Sequence, residues 1–235
     1  MIQSAATSVS IPLMSSAKQV ISNAFVSSAS DRLARFIAQQ GITGKEVVPL
    51  TPDASTRKYY RIGWKKGTAV AAVYAEPFDP EFHPYLDVTR LFLESDIPVP
   101  EIFAVDGSAG IIVQEDLGDE QLFHTYENEP DEKCDEYKED AIALIAKIQR
   151  ATDKAYELNS ISSRLAFDEA KLSWELDFFF DHYFGSLRKE TLRHAETAEV
   201  KAELNDIAAE LSAAPRVLSH RDYHAANLVF DAQKH

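Results

Sequence analysis

Cysteine is almost missing from this chain: Cys134 is the only one in 235 residues. A single thiol excludes an internal disulfide and fits a reducing compartment, here expected to be the cytoplasm. It stands in the charged run Pro130-Asp131-Glu132-Lys133-Cys134-Asp135-Glu136, which disfavours an activated thiolate. Positive charge is also scarce, with 24 Lys and Arg against 38 Asp and Glu and a net charge of −14. A phosphate backbone demands a basic surface, so a nucleic-acid partner is not expected. No apolar run approaches the roughly 18 residues of a membrane span, which argues against a membrane partner. The first residues are rich in Ser and Ala but lack the basic start and continuous apolar core of a signal peptide. A flexible extension is expected over residues 1–29.

The rest has the composition of a globular chain, 45% hydrophobic and 26% charged, long enough to bury a sizeable core. Its most informative stretch lies near the end: Arg216-Val217-Leu218-Ser219-His220-Arg221-Asp222-Tyr223-His224-Ala225-Ala226-Asn227-Leu228-Val229-Phe230. This reads as apolar strand, polar turn and apolar strand, carrying the H-R-D-x-x-x-x-N spacing of a kinase catalytic loop. An acceptor hydroxyl needs a carboxylate to orient it and take its proton, and magnesium beside phosphates needs an oxygen ligand. A short loop can aim Asp222 and Asn227 into one cleft. His220 and His224 also stand at H-x-x-x-H spacing, but no Glu adjoins His220 and no third ligand is evident, which disfavours zinc. His220 reads as a buried histidine holding the loop backbone. Arg221 reads equally as a supporting residue or an ordinary surface charge.

The segment Ser219 to Leu228 resembles the catalytic loop of the aminoglycoside phosphotransferase/choline kinase family, small-molecule kinases on the protein-kinase-like fold. The resemblance implies Asp222 as catalytic base and Asn227 as a magnesium ligand; His220 and Arg221, adjoining Asp222, stand with it as candidate catalytic residues. It implies ATP and magnesium as the cofactors and a small-molecule hydroxyl as the acceptor.

In chain order, Ser30 or Asp31 can cap a helix with Leu33, Phe36 and Ile37 at helical spacing, ending near Gly41. Strands are expected at 46–50, 59–62 and 68–75, then a helix over 79–96 stopped by Pro98 and Pro100, then strands at 101–106 and 111–115. Between the first two strands lies a small, polar, basic loop, Asp53-Ala54-Ser55-Thr56-Arg57-Lys58. Such a loop can cover phosphates, although without glycine it also reads as an ordinary surface hairpin. Residues 53–61 are similar to the D-A-S-x-R-x-Y-x-R stretch of a bacterial branch of the family, the cell-wall sugar kinases acting on N-acetylmuramate and N-acetylglucosamine. By that resemblance Asp53 to Lys58 touch the nucleotide phosphates, and Glu115 and Leu117, after the fifth strand, meet the adenine. The third strand lacks the lysine that many kinases use for phosphates, which leaves Arg57, Lys58 or Arg61 to supply the charge.

Helices are expected over 134–153, 167–187 and 190–211. The second carries an aromatic stripe, Trp174, Phe178, Phe179, Phe180, Tyr183 and Phe184, that reads as core more readily than as a ligand box. Glu175 and Asp177 interrupt it, and carboxylates accept hydrogen bonds from sugar hydroxyls or an amine, so these two and His224 are candidate substrate contacts. The expected fold is therefore α+β and two-lobed: an antiparallel β N-lobe over 30–115 and a mainly helical, incomplete C-lobe over 116–235. A second metal-binding Asp is expected after Asn227. Asp231 stands too close to be that ligand, and several helices of the family lie beyond His235. An N-acetylated amino sugar is the expected acceptor, with an aminoglycoside or choline-type amino alcohol next. A catalytically inactive nucleotide-binding remnant is the alternative.

Overall fold

The structure is a computed structural model that describes residues 28–42, 46–50, 57–65, 67–128 and 130–230. The expected extension over 1–29 and the loop residues Asp53, Ala54, Ser55 and Thr56 fall almost wholly outside the described residues. The chain forms two compact units, one of residues 1–151 with 219–235 and the other of residues 152–218.

The first unit opens with α1, Ala29–Gln39. Its cap is Ser28 rather than Ser30 or Asp31: the Ser28 hydroxyl accepts the Asp31 amide while the Asp31 carboxylate accepts the Ser28 amide. This reciprocal box satisfies two donors that the helix start leaves open. A five-stranded sheet follows, made of β1 (Val47–Pro49), β2 (Lys58–Trp64), β3 (Gly67–Val73), β4 (Ile102–Asp106) and β5 (Ile111–Glu115). The strands lie in the order β1-β2-β3-β5-β4, and every pair is antiparallel.

Strand alternation divides the sheet into two faces. Tyr60, Ile62 and Trp64 of β2, Ala69, Ala71 and Val73 of β3, and Ile111 and Val113 of β5 pack with Leu33 and Phe36 of α1. Trp64 sits between Phe36 and Phe103 in an aromatic stack with centroids 6.5 and 6.4 Å away. The buried Arg32 guanidinium donates to the carbonyls of Tyr74 and Ala109, tying α1 to the β3 exit and the β4–β5 turn. That turn needs Gly110: its φ is +67°, and a Cβ there would lie 2.8 Å from the Glu76 carbonyl oxygen and 2.9 Å from Arg32.

The other face carries Tyr59 and Arg61 of β2, Val70 and Ala72 of β3, and Ile112 and Gln114 of β5. Their cross-strand register is Arg61↔Val70↔Gln114 and Tyr59↔Ala72↔Ile112. Helix α2, Pro84–Glu94, meets this face, where the Tyr85 hydroxyl donates to Gln114 Oε1 at 2.6 Å. α2 is shorter than expected because Pro84 has no amide to give, so Pro80–Phe82 forms a separate 3₁₀ turn ahead of it. α3 (Leu122–Asn128) and α4 (Asp131–Arg150) complete the elements before the site loop, and Cys134 is buried within α4.

In the second unit, α5 (Thr152–Glu157) precedes α6 (Glu169–Phe180), a π-helical stretch Asp181–Arg188, and α7 (His194–Ser212), with α6 packed on α7. The aromatic stripe is not a buried core. No residue of α6 is buried, and Trp174, Phe178 and Phe179 are about half exposed. Large apolar side chains at 174, 178, 179 and 180 of α6, continued by 183 and 184 of the π-helical stretch, spread over more surface than one neighbouring helix covers.

The strand expected ahead of the Asp222 turn, over residues 216–218, does not form. Leu218 is committed elsewhere, its amide donating to Thr152 Oγ1 at 2.8 Å. The second apolar stretch pairs with the segment before α3, through a Gln121↔Val229 bridge.

Candidate active site

The loop 219–230 is pinned at its far end by backbone bonds. The Leu122 amide donates to the Leu228 carbonyl and the Phe230 amide to the Glu120 carbonyl, both at 2.8 Å. Leu228 and Val229 are buried there, and the Phe230 ring lies 4.7 Å from that of Tyr137 on α4. In mid-loop the Tyr223 hydroxyl donates to the Ala141 carbonyl of α4 at 2.5 Å. Burial and these bonds fix the loop from both sides, so its polar side chains are aimed rather than free to swing.

Between the anchors the backbone bends sharply. Arg221 has φ +72°, a left-handed conformation that a non-glycine residue adopts only when its surroundings impose it. After it, Ala225–Asn227 forms a 3₁₀ turn in which the Asn227 amide N–H meets the His224 carbonyl at 2.9 Å. The two bends face Asn227 toward Asp222. Asn227 Nδ2 donates to the Asp222 carboxylate at 2.9 Å and to the Asp222 main-chain carbonyl at 2.9 Å. It lies 3.0 Å from His224 Nε2, which is itself 3.3 Å from Asp222 Oδ1. The expected pair therefore converges, and His224 joins it. The Asp222 side chain is 38% exposed, open enough to meet a hydroxyl.

This donor set fits magnesium beside phosphates rather than a metal cage. With Nδ2 turned to Asp222, the Asn227 amide oxygen is the atom left for a hard cation, and magnesium bound there would need its remaining ligands from phosphate and water. Among the described residues no cluster of three His, Cys, Asp or Glu could hold a metal by itself.

His220 differs from expectation in how it is held. Both ring nitrogens are buried and neither makes a well-formed hydrogen bond among the described residues, the Asp222 backbone acting on the ring only weakly. The ring instead packs edge-on to Tyr223, with centroids 5.5 Å apart. Burial pushes its pKa below the ordinary histidine range, outweighing the opposite pull of the Asp222 carboxylate and backbone.

On the sheet, the basic residues weighed for the missing third-strand lysine have different fates. Arg61 is fully engaged: Nε and Nη2 bond Asp116 at 2.7 and 3.0 Å, and Nη1 and Nη2 bond Asp119 at 2.9 and 2.8 Å. Arg57 stacks its guanidinium over Tyr59 and Tyr74, 5.7 and 5.6 Å from the ring centroids. Lys58 is exposed. Beside Arg57, His83 is buried against Phe78 and Tyr74. Desolvation first and the Arg57 charge second lower its pKa to about 4.

Glu115 ends β5 and Leu117 follows it, with the Glu115 amide bonded to the Glu101 carbonyl at 2.8 Å. Asp116 and Asp119 in the same segment escaped sequence reasoning. The available signal was the D-x-x-D spacing just past a strand whose face also carries Arg61. Glu175 and Asp177 lie in the second unit, paired with Lys171 at 2.9 Å and with Lys201 at 3.0 Å.

An antiparallel five-stranded sheet, helices after it, and an Asp/Asn loop define a protein with the protein-kinase-like fold. The chain belongs to the phosphotransferase enzyme family, which it matches over residues 46–235. It is similar to the N-acetylmuramate/N-acetylglucosamine kinase of Pseudomonas aeruginosa, 29% identical over 185 residues, 78% of this chain and 51% of that protein. The protein of the same name from Caulobacter vibrioides is 28% identical over 186 residues, 79% of this chain and 49% of the relative. That from Neisseria meningitidis is 24% identical over 178 residues, 75% and 51%. The chain spans about half the length of the curated relatives it matches. Among the described residues no helix is long and apolar enough to cross a membrane.

Proposed function

We propose that this chain carries the nucleotide-binding and catalytic elements of an ATP-dependent small-molecule kinase, with a sugar hydroxyl as acceptor. The observation that carries the reading is the Asp222–Asn227 pair: one side-chain amide braces the carboxylate that must receive a proton, leaving its own oxygen for a cation. An Asp222 oxygen orients the acceptor hydroxyl and takes its proton as the hydroxyl oxygen bonds the γ-phosphorus. The bond from that phosphorus to the β–γ bridging oxygen breaks, and ADP leaves. Magnesium, when bound at Asn227 together with the phosphates, offsets the charge on the transferring group. His220 and Arg221 hold the loop in its bent form and act through Asp222. The loop from Asp53 to Lys58 covers the phosphates, and Glu115 and Leu117 offer backbone groups to adenine.

The relatives' names favour an N-acetylated amino sugar. An aminoglycoside or amino alcohol is next within the same chemistry. The single buried thiol, Cys134, suits a cytoplasmic enzyme. The test is ATP-dependent phosphorylation across a panel of N-acetylmuramate, N-acetylglucosamine, aminoglycosides and choline. Transfer to an amino sugar that is lost in Asp222→Asn supports the reading. Absence of transfer to any of them favours a nucleotide-binding remnant.

A further inference from the structure

Arg61 stands in the middle of β2 with its side chain on the face opposite the α1 core, in register with Val70 and Gln114. Asp116 follows Gln114 by two positions, just past the end of β5. The guanidinium therefore crosses over β3 to reach the segment that leaves the sheet. Its contact with Asp116 is two-pronged, and a second two-pronged contact reaches Asp119.

The two halves of this clamp differ in burial. The Asp116 side chain is only 6% exposed, Arg61 is 24% exposed and Asp119 is 77% exposed. A carboxylate as buried as Asp116 is costly without a cation beside it, so this half resists opening. Burial alone would raise the Asp116 carboxyl, but hydrogen bonds from Arg61 and Thr68 and from the Gly118 amide together hold it below the ordinary range. The Gly118 amide reaches Asp116 Oδ1 at 3.2 Å, and Gly118 has φ +83°, so the segment after Asp116 turns around that same carboxylate.

We infer that Arg61 is a positioning residue for the nucleotide base. By clamping Asp116 and Asp119 it fixes the segment Glu115–Asp119, along which the base lies, against β2. Lysine cannot replace it, because an ammonium is a point charge and cannot make two forked contacts in different directions. This inference rests on the nucleotide reading above and assigns Arg61 no contact with the nucleotide.

The test uses the whole chain and the fluorescent probe N-methylanthraniloyl-ADP, displaced in turn by adenosine and by magnesium tripolyphosphate. In Arg61→Ala, adenosine affinity should fall roughly tenfold while tripolyphosphate affinity stays within about twofold. Adding Asp116→Asn to Arg61→Ala should restore part of the adenosine affinity, since it removes the stranded buried charge. Asp119→Asn changes only the exposed half of the clamp, so its folding is safe, and it should weaken adenosine roughly threefold. Equal loss of both ligands in Arg61→Ala, or adenosine binding unchanged in Asp119→Asn, overturns the inference while leaving the nucleotide site in place. No probe binding by the unaltered chain overturns the nucleotide reading itself, and this inference with it.

Discussion

The side-chain amide of Asn227 donates to both the carboxylate and the main-chain carbonyl of Asp222, each at 2.9 Å. One group therefore sets both the direction of the Asp222 carboxylate and the bend that presents it. If Asp222 takes the proton of the acceptor, Asp222→Asn removes the base but keeps nearly the same shape. Turnover should fall roughly 10²- to 10⁴-fold, with the affinity for N-methylanthraniloyl-ADP within about twofold of the unaltered chain. A coupled ADP-release assay and a fluorescence titration measure the two quantities. Unchanged turnover would take Asp222 out of its role.

If Asn227 holds magnesium, Asn227→Ala removes a ligand oxygen and the brace on Asp222 together. Its signature should be a magnesium requirement raised roughly tenfold or more, alongside lower turnover. Asn227→Asp separates the two functions, because it restores an oxygen ligand but sets a second carboxylate against Asp222. It should recover magnesium affinity more fully than turnover. A magnesium titration of both variants at saturating nucleotide checks this, and equal recovery of the two quantities counts against a bracing role.

His83 gives the fold an acid-sensitive point away from the loop. Its pKa is about 4 in the folded chain, against 6.5 when unfolded, chiefly because the ring is desolvated. Between these values the unfolded chain binds more protons than the folded one, so stability rises with pH there. The contribution is complete above pH 6.5 and is lost as pH falls toward 4, by on the order of 2 kcal/mol once solvent access to the ring is allowed for. Urea unfolding at intervals from pH 7 to pH 4 should show this slope, and His83→Phe should flatten it. Asp116 and Asp119 act in a separate window: their carboxyls lie below 3.8 when folded, so their contribution is lost only in stronger acid.

The strands were legible because β2, β3, β4 and β5 alternate or run apolar between turn residues, and those patterns survive packing. The Asp222–Asn227 pairing was legible because it is local, set by spacing within one loop. Contacts between distant segments left no such trace. Arg61 is 55 residues from Asp116, and the D-x-x-D spacing after β5 does not by itself say which cation it meets. The strand expected ahead of Asp222 failed for the same reason: Leu218 and Leu228 find their partners at Thr152 and Leu122, which no local pattern announces. The aromatic stripe of α6 misled because periodicity reports which side chains are apolar, not how much covering surface a neighbouring helix provides.

His220 pays a visible cost, with two buried ring nitrogens and no well-formed hydrogen bond to either among the described residues. Each unpaired buried polar atom costs on the order of 1 kcal/mol, so a chain shaped by stability alone would favour an apolar ring here. Phenylalanine keeps the flat shape and the edge contact with Tyr223, whose hydroxyl anchors the loop to α4. His220→Phe should therefore leave the melting temperature unchanged or raise it. If the polar ring is retained for work in the loaded state, the same substitution should lower turnover at least roughly tenfold without weakening nucleotide binding. His220→Ala separates packing from polarity, since it removes the edge contact and should lower stability and turnover together. Thermal melts and steady-state assays of the two variants decide the matter: full activity in a stabilised His220→Phe would reduce the histidine to packing alone.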